Sequence, residues 1–214
     1  MVQRGTLTLT NIMSQGSILG LPLGHRKAGI AKAFFDSIYS SLEGLTATQL
    51  FQGYDLTPDT PDEEAFTKIL GFANDISFYA PTLAFARGMQ SSMPVFMYRF
   101  NEPNTWPGPW QGRTTHIHDL TYLLLNFNQF LSGDQSQLAE DFAADVIEFI
   151  NGNEPWQRWT NDQTAAKVFK VGEKGVQTDE PERTERRSLI TELAGEVGFD
   201  ALKGAFTRFL IGAS

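Results

Sequence analysis

The run MPVFMYRF, residues 93 to 100, constrains this chain more than any other stretch. It is a compact series of valine, aromatics and methionine, bounded by Ser91-Ser92 before it and Asn101-Glu102-Pro103 after it. A run with so little polar alternation reads as a strand buried on both faces, and such a strand needs covering layers above and below. A second strand is legible in TLTLTNIM, residues 6 to 13, where threonine and leucine alternate before a turn at Ser14-Gln15-Gly16. Helical sequence lies between and after the two, which suits a parallel pair joined by a long crossover. The expected class is α/β, helix-dominated, with a small parallel sheet of two clear strands packed by helices, as a single domain over residues 1–214. Two strands alone are marginal, so the helices must supply most of the stability and an outer strand edge needs a cover.

The helices are read from apolar spacing and capping residues. In AGIAKAFFDSIYSSL, within residues 25 to 42, Ile30, Phe34, Ile38 and Leu42 recur at helical spacing, His25 sits at the start and Gly44 offers a stop. DLTPDTPDEEAFTKIL gives a proline- and aspartate-rich helix start, and apolar content continues through Phe72 and Ile76 to PTLAFARGM. Ser132 and Asp134 can cap a helix whose Leu138, Phe142, Val146 and Phe149 face one way, ending near Gly152. VGEKGVQTDE, residues 171 to 180, reads as polar loop. The tail PERTERRSLITELAGEVGFDALKGAFTRFL reads as an amphipathic helix broken near Gly195 or Gly198. No internal repeat is present.

Composition narrows the function classes. With 17 Lys+Arg against 25 Asp+Glu and a formal net charge of -8, a nucleic-acid or anionic-membrane partner has no electrostatic support. An apolar or neutral small molecule fits better, and the 17 phenylalanines modestly support an apolar cavity. The absence of cysteine removes disulfides, thiolate catalysis and cysteine-type zinc sites. MVQRGTLTLT lacks the apolar core of a signal peptide and no run suits a membrane span, so a cytoplasmic location is expected if Met1 is the native start. No glycine-rich nucleotide motif occurs, and no cofactor is expected.

NEPNTWPGPWQG, with three prolines and two glycines in twelve residues, must be an irregular loop. It delivers THIHDL, residues 115 to 120, which holds two of the three histidines. His116 and His118 at i and i+2, with no third ligand nearby, do not make a metal site. Asp119 can cap a helix starting at Leu120. His118 is expected to face solvent, a partner or a ligand. Trp106 and Trp110 flank the loop and either anchor it or line an apolar pocket with Tyr98 and Phe100, residues that also suit the core.

These segments resemble a known family. NDISFYAPTLAFARG, MPVFMYRFNEPNTWPGPWQGRTTHIHDLTYLLLNFNQFL and AEDFAADVIEFINGNEPW are similar to the C-terminal part of the type-B carboxylesterases, the cholinesterase-like branch of the α/β-hydrolases, fungal members above all. The likeness is good over about residues 70 to 156 and weak before them. It implies that TLTLTNIM is the strand before the triad acid, that MPVFMYRF is the strand before the triad histidine, and that His116, with Asp119 and Leu120 after it, is that histidine. The family's serine elbow, G-x-S-x-G, occurs nowhere in this sequence. At the position implied for the acid the chain reads Ser14-Gln15-Gly16, and a neutral amide cannot stabilise an imidazolium as a carboxylate does.

A truncated hydrolase remnant of this kind leaves His116 and Gln15 as catalytic or hydrogen-bonding groups, with Trp106, Trp110, Tyr98, Phe100 and His118 as substrate contacts. Three functions follow: a cofactor-independent cyclase or isomerase, possibly of Diels-Alder type, acting on an apolar natural-product intermediate; a non-catalytic small-molecule-binding pseudoenzyme; and a hydrolase, or a fragment of one, using Ser14 or Ser17. A homodimer covering the edge of the first strand is expected.

Overall fold

The computed structural model describes residues 6–9, 28–108, 110–115, 117–161, 165–173, 176–178 and 185–212. They fall into two compact units, one formed by residues 1–12 and 82–180, the other by 13–81 and 181–214.

The first unit holds the sheet. Strands β1 (Thr6–Leu9) and β2 (Val95–Phe100) pair in parallel, Thr6 opposite Val95 and Leu9 opposite Tyr98, as the sequence suggests. Residues 10–13 of the first expected strand lie outside the described residues. Two further strands follow. β3 (Ala165–Phe169) lies parallel to β2, and β4 (Val176–Thr178) runs antiparallel to β3, giving the order β1-β2-β3-β4. The segment read as loop over residues 171 to 180 therefore contains a strand. AAKVF has little β-branched character, and β4 is three residues long; pairing, rather than local propensity, makes them strands.

β2 is buried on both faces. Phe96, Tyr98 and Phe100 share one face and enter an aromatic cluster with Tyr122, Phe142, Trp156 and Phe169. Ring centroids lie 4.4 Å apart for Phe142–Phe169 and 5.1 Å apart for Tyr98–Phe142. Phe142 and Val146 come from α6 (Gly133–Ile150), with Leu138 and Phe149 packed against the same cluster. Ser132 caps α6: its hydroxyl accepts from Gln135 N–H while the Gln135 side chain accepts from Ser132 N–H, a capping box. α5 (His118–Leu123) and a 3-10 turn (Asn128–Phe130) precede α6.

The second unit is helical. α1 (Ile30–Ser41) is followed by α2 (Gly44–Gly53), so Gly44 opens a second helix rather than merely ending the first. α3 (Asp62–Asn74) runs through a π-helical segment (Asp75–Tyr79) into α4 (Ala80–Met89), which from Thr82 belongs to the first unit. The tail forms α7 (Glu185–Val197) and α8 (Phe199–Ile211), divided at Gly198 with φ 82, while Gly195 stays inside α7. Phe34 of α1 sits at the centre, 5.8 Å from Phe51, 5.5 Å from Phe72 and 5.1 Å from Phe209 between ring centroids. A Cβ on Gly53 would lie 2.1 Å from Leu189 Cδ2, so α2 and α7 approach closely there and a larger residue would displace the end of the Leu189 side chain. Gly29, before α1, has no capping side chain, and Asp62 supplies one, its carboxylate accepting from Gly29 N–H (3.1 Å) and Ile30 N–H (3.0 Å). Asp75 is fully buried; it accepts from Tyr54 Oη (2.9 Å) and Asn74 Nδ2 (3.1 Å), and Arg186 Nε lies 2.8 Å away.

Candidate functional site

The loop after β2 is built around a buried carboxylate. Glu102, 3% exposed, accepts from Gln135 Nε2 with one oxygen and from Val171 N–H with the other, both at 2.8 Å. It thereby ties the end of β2 to the start of α6 and the end of β3. Sequence reasoning did not single out Glu102 or Gln135. The available signal was an acid directly after a buried strand, where it has to find donors.

Beyond Glu102 the loop folds on itself. Asn104 Oδ1 accepts from Trp106 N–H (2.9 Å), and Asn104 and Arg113 are joined by a backbone bond of 3.0 Å. Trp106 and Trp110 are half-buried. The Trp106 ring meets His118 edge-on at 5.7 Å and Phe127 at 6.3 Å. Thr114 Oγ1 donates to Glu102 O (3.2 Å), and His118 N–H donates to Thr115 O (3.1 Å). Ile117 holds φ 57, a left-handed conformation that β-branched residues rarely adopt. His116 and Gln15 lie outside the described residues.

His118 differs from its sequence reading. α5 begins at His118 and not at Leu120, so the imidazole turns inward; it is 5% exposed, not facing solvent. Its ring lies 5.8 Å from Phe100, 5.7 Å from Trp106 and 5.4 Å from Tyr122, all T-shaped. Nε2 has no hydrogen-bond partner among the described residues. Burial lowers the His118 pKa below its ordinary value, against the raising influence of Glu102 and Asp119. Asp119 does not cap the helix; it is buried and accepts from Tyr98 Oη (3.1 Å). Burial first, then the Asp119 charge, raises the Tyr98 pKa, so the phenol stays a donor. Tyr98 and Phe100 are core residues, 1% and 0% exposed. The loop thus gathers His118, Trp106, Phe100 and, through Asp119, Tyr98. Among the described residues no group of three histidine or acidic side chains is placed to hold a metal ion, and no helix is long and apolar enough to cross a membrane.

A parallel sheet packed by helices, with the histidine loop leaving the C-terminal end of β2, is part of an α/β-hydrolase fold. Solved structures of PNB esterase share it: one with a TM-score of 0.55 and 18% identity, covering 73% of this chain and 32% of that chain, and another with 0.54 and 17%, covering 83% and 33%. A thermophylic PNB esterase gives 0.55 and 17%, covering 83% of this chain and 34% of that one. The chain spans about a third of the length of these esterases. The family model for carboxylesterases matches residues 25–189, and the chain belongs to the carboxylesterase family. No curated protein matches it.

Proposed function

We propose that this chain presents the histidine arm of a carboxylesterase fold to an apolar small molecule and works on it without cleaving an ester. The observation that carries this reading is Gln15, which by resemblance stands where a triad acid would be. An amide can fix an imidazole tautomer by hydrogen bonding, yet it cannot stabilise the imidazolium that serine attack requires. A proton-capable His116 without its carboxylate suits orientation and polarisation of a carbonyl. The histidine loop leaves β2 at its C-terminal end, the end of a parallel sheet where α/β folds gather ligands.

In its enzymatic form the reading is a cofactor-independent cyclase or isomerase, of pericyclic type, acting on an apolar natural-product intermediate. Holding a flexible substrate in reactive geometry can supply up to roughly 7–11 kcal/mol. Trp106 and Trp110 are the proposed contacts at the loop. A cytoplasmic homodimer belongs to the same proposal, since β1 pairs on one side only among the described residues.

The test is incubation with linear polyene substrates bearing a conjugated carbonyl. The expected result is ring-closed product formed faster and with different stereochemistry than in buffer, and lost in His116→Ala. Product indistinguishable from the buffer control would overturn the proposal. A second reading, part of an ester hydrolase, is favoured by the span of about a third of the PNB esterases. Turnover of a chromogenic ester, abolished by His116→Ala, would establish that reading instead.

A further inference from the structure

Six large apolar side chains reach solvent within a short stretch of the first unit. Ile117, Leu120, Leu124, Leu125, Phe127 and Phe130 are each between 40% and 62% exposed. They lie on α5, the turn after it and the 3-10 segment that leads to α6. Leu124 N–H donates to Leu120 O, so these two stand one turn apart on one face. The Phe127 ring meets Trp106 at 6.3 Å, which joins this surface to the loop after β2. Ile117 and Leu125 hold left-handed backbone, at φ 57 and φ 56. That conformation is unfavourable for large apolar residues, so both ends of α5 carry a backbone cost while holding such side chains in water.

Charge decides what can cover such a face. With a formal net charge of -8, two copies of the chain repel wherever their acids meet. In a two-fold contact each patch meets itself, so an ion near the axis faces its own like. From Ile117 to Gly133 the only charged residue is Asp119, which is buried and accepts from Tyr98. The exposed polar side chains there include Asn126 and Gln129, amides that both donate and accept and can pair with their own copy. The other exposed apolar residues of the first unit lack this setting. Ile147 and Ile150 flank the exposed Glu148 of α6, and Phe85 is two residues from the exposed Arg87 of α4. A protein steered by charge, or an anionic lipid surface, finds no ion to pair with on the α5 face. The six side chains leave several hundred Å² of apolar surface in water, enough for the centre of an interface of about 800 Å² per partner.

We propose that this uncharged surface, with Ile117, Leu120, Leu124, Leu125, Phe127 and Phe130 at its centre, is an isologous docking face for a second copy of the chain. The inference rests on the homodimer proposed above for its occupant, and gives that homodimer a face other than the edge of β1.

Sedimentation velocity on the full chain should show a dimer in the micromolar range that tightens as salt is raised, because salt screens the acids. Leu124→Asp and Phe130→Asp, both at exposed positions, should each weaken it about 30-fold or more, while Ile150→Asp leaves it unchanged. The chain has no cysteine, so a single introduced thiol reports the contact covalently. Among Thr121→Cys, Asn126→Cys and Gln129→Cys, at least one should give a disulfide-linked dimer under mild oxidation, and Ile150→Cys should give none. These variants decide the matter should an aspartate variant fold poorly. Monomer throughout the micromolar range would overturn the proposal and the homodimer with it. A dimer unmoved by both aspartate variants, or dissolved by salt, would overturn the face alone and return the contact to the edge of β1. Monomer that floats with phosphatidylcholine vesicles would also overturn it and assign the face to a lipid surface. Neither ring closure nor ester turnover is read, so failure of the catalytic proposal leaves this test standing.

Discussion

The two units bury charge in opposite ways. In the helical unit, the fully buried Asp75 meets two arginines: Arg186 Nε at 2.8 Å and Arg187 Nε at 3.8 Å. Neither Nε makes a hydrogen bond, so these contacts act through charge, assisted by the arginines stacking over Tyr54 and Tyr79. In the sheet unit, the buried carboxylates of Glu102 and Asp119 meet an amide, a backbone N–H and a phenol. Opposite charges fasten helices in the first case. In the second, neutral donors hold acids and an uncharged imidazole around one loop, the kind of setting in which protonation states matter to chemistry.

Four experiments would break or sharpen that contrast. Asp75→Ala leaves two half-buried guanidinium groups without their anion, and denaturant unfolding should show a loss of about 3–5 kcal/mol. An unchanged midpoint would mean that the arginines are solvated and that the helical unit does not depend on charge. Tyr98→Phe withdraws a donor from Asp119 at nearly constant volume, with an expected cost of about 1–3 kcal/mol in the same assay. If Asp75→Ala were the milder change, the contrast would be reversed. Ser132→Ala removes the α6 cap and should cost about 0.5–2 kcal/mol, with Glu102 still bonded to Gln135.

The smallest effect is one of pH. Because burial lowers the folded-state pKa of His118, the unfolded chain takes up its proton first as pH falls. Stability is therefore complete above about 6.5 and declines below it, toward the folded-state value. Comparing unfolding midpoints above and below that pH, His118→Phe should show a shallower decline than the unaltered protein. Equal slopes in the two would show that other groups set the acid sensitivity of the sheet unit.

Several parts of this architecture were legible in the sequence because local chemistry and tertiary packing agree there. Ser132 marks the start of α6, and the spacing of Leu138, Phe142, Val146 and Phe149 gives its buried face. The apolar run of β2 announces a strand covered on both sides. β3 was missed because AAKVF becomes a strand by lying between β2 and β4, information that no window of five residues contains. The burial of Asp75 could not be read for a related reason: its partners Arg186 and Arg187 arrive from a distant helix. At the site, the order of strand, proline-rich loop, histidine and acid could be read directly. That His118 turns inward could not, because moving the start of α5 by two residues changes which side chain faces the aromatic cluster, and helix ends are the least determined feature of a local pattern.

The carboxylate of Asp62 has a consequence for how the helical unit assembles. It satisfies the opening N–H groups of α1 from a position 33 and 32 residues further along the chain. The start of α1 is thus specified by a residue that is synthesised later and becomes available only when α3 has docked. A peptide limited to α1 lacks its own stop signal at that end and should fray there, whereas the same helix in the whole unit begins at a fixed residue. Two segments that a sequence profile treats as independent helices are in this sense one cooperative element, closed by a bond between the first turn of each.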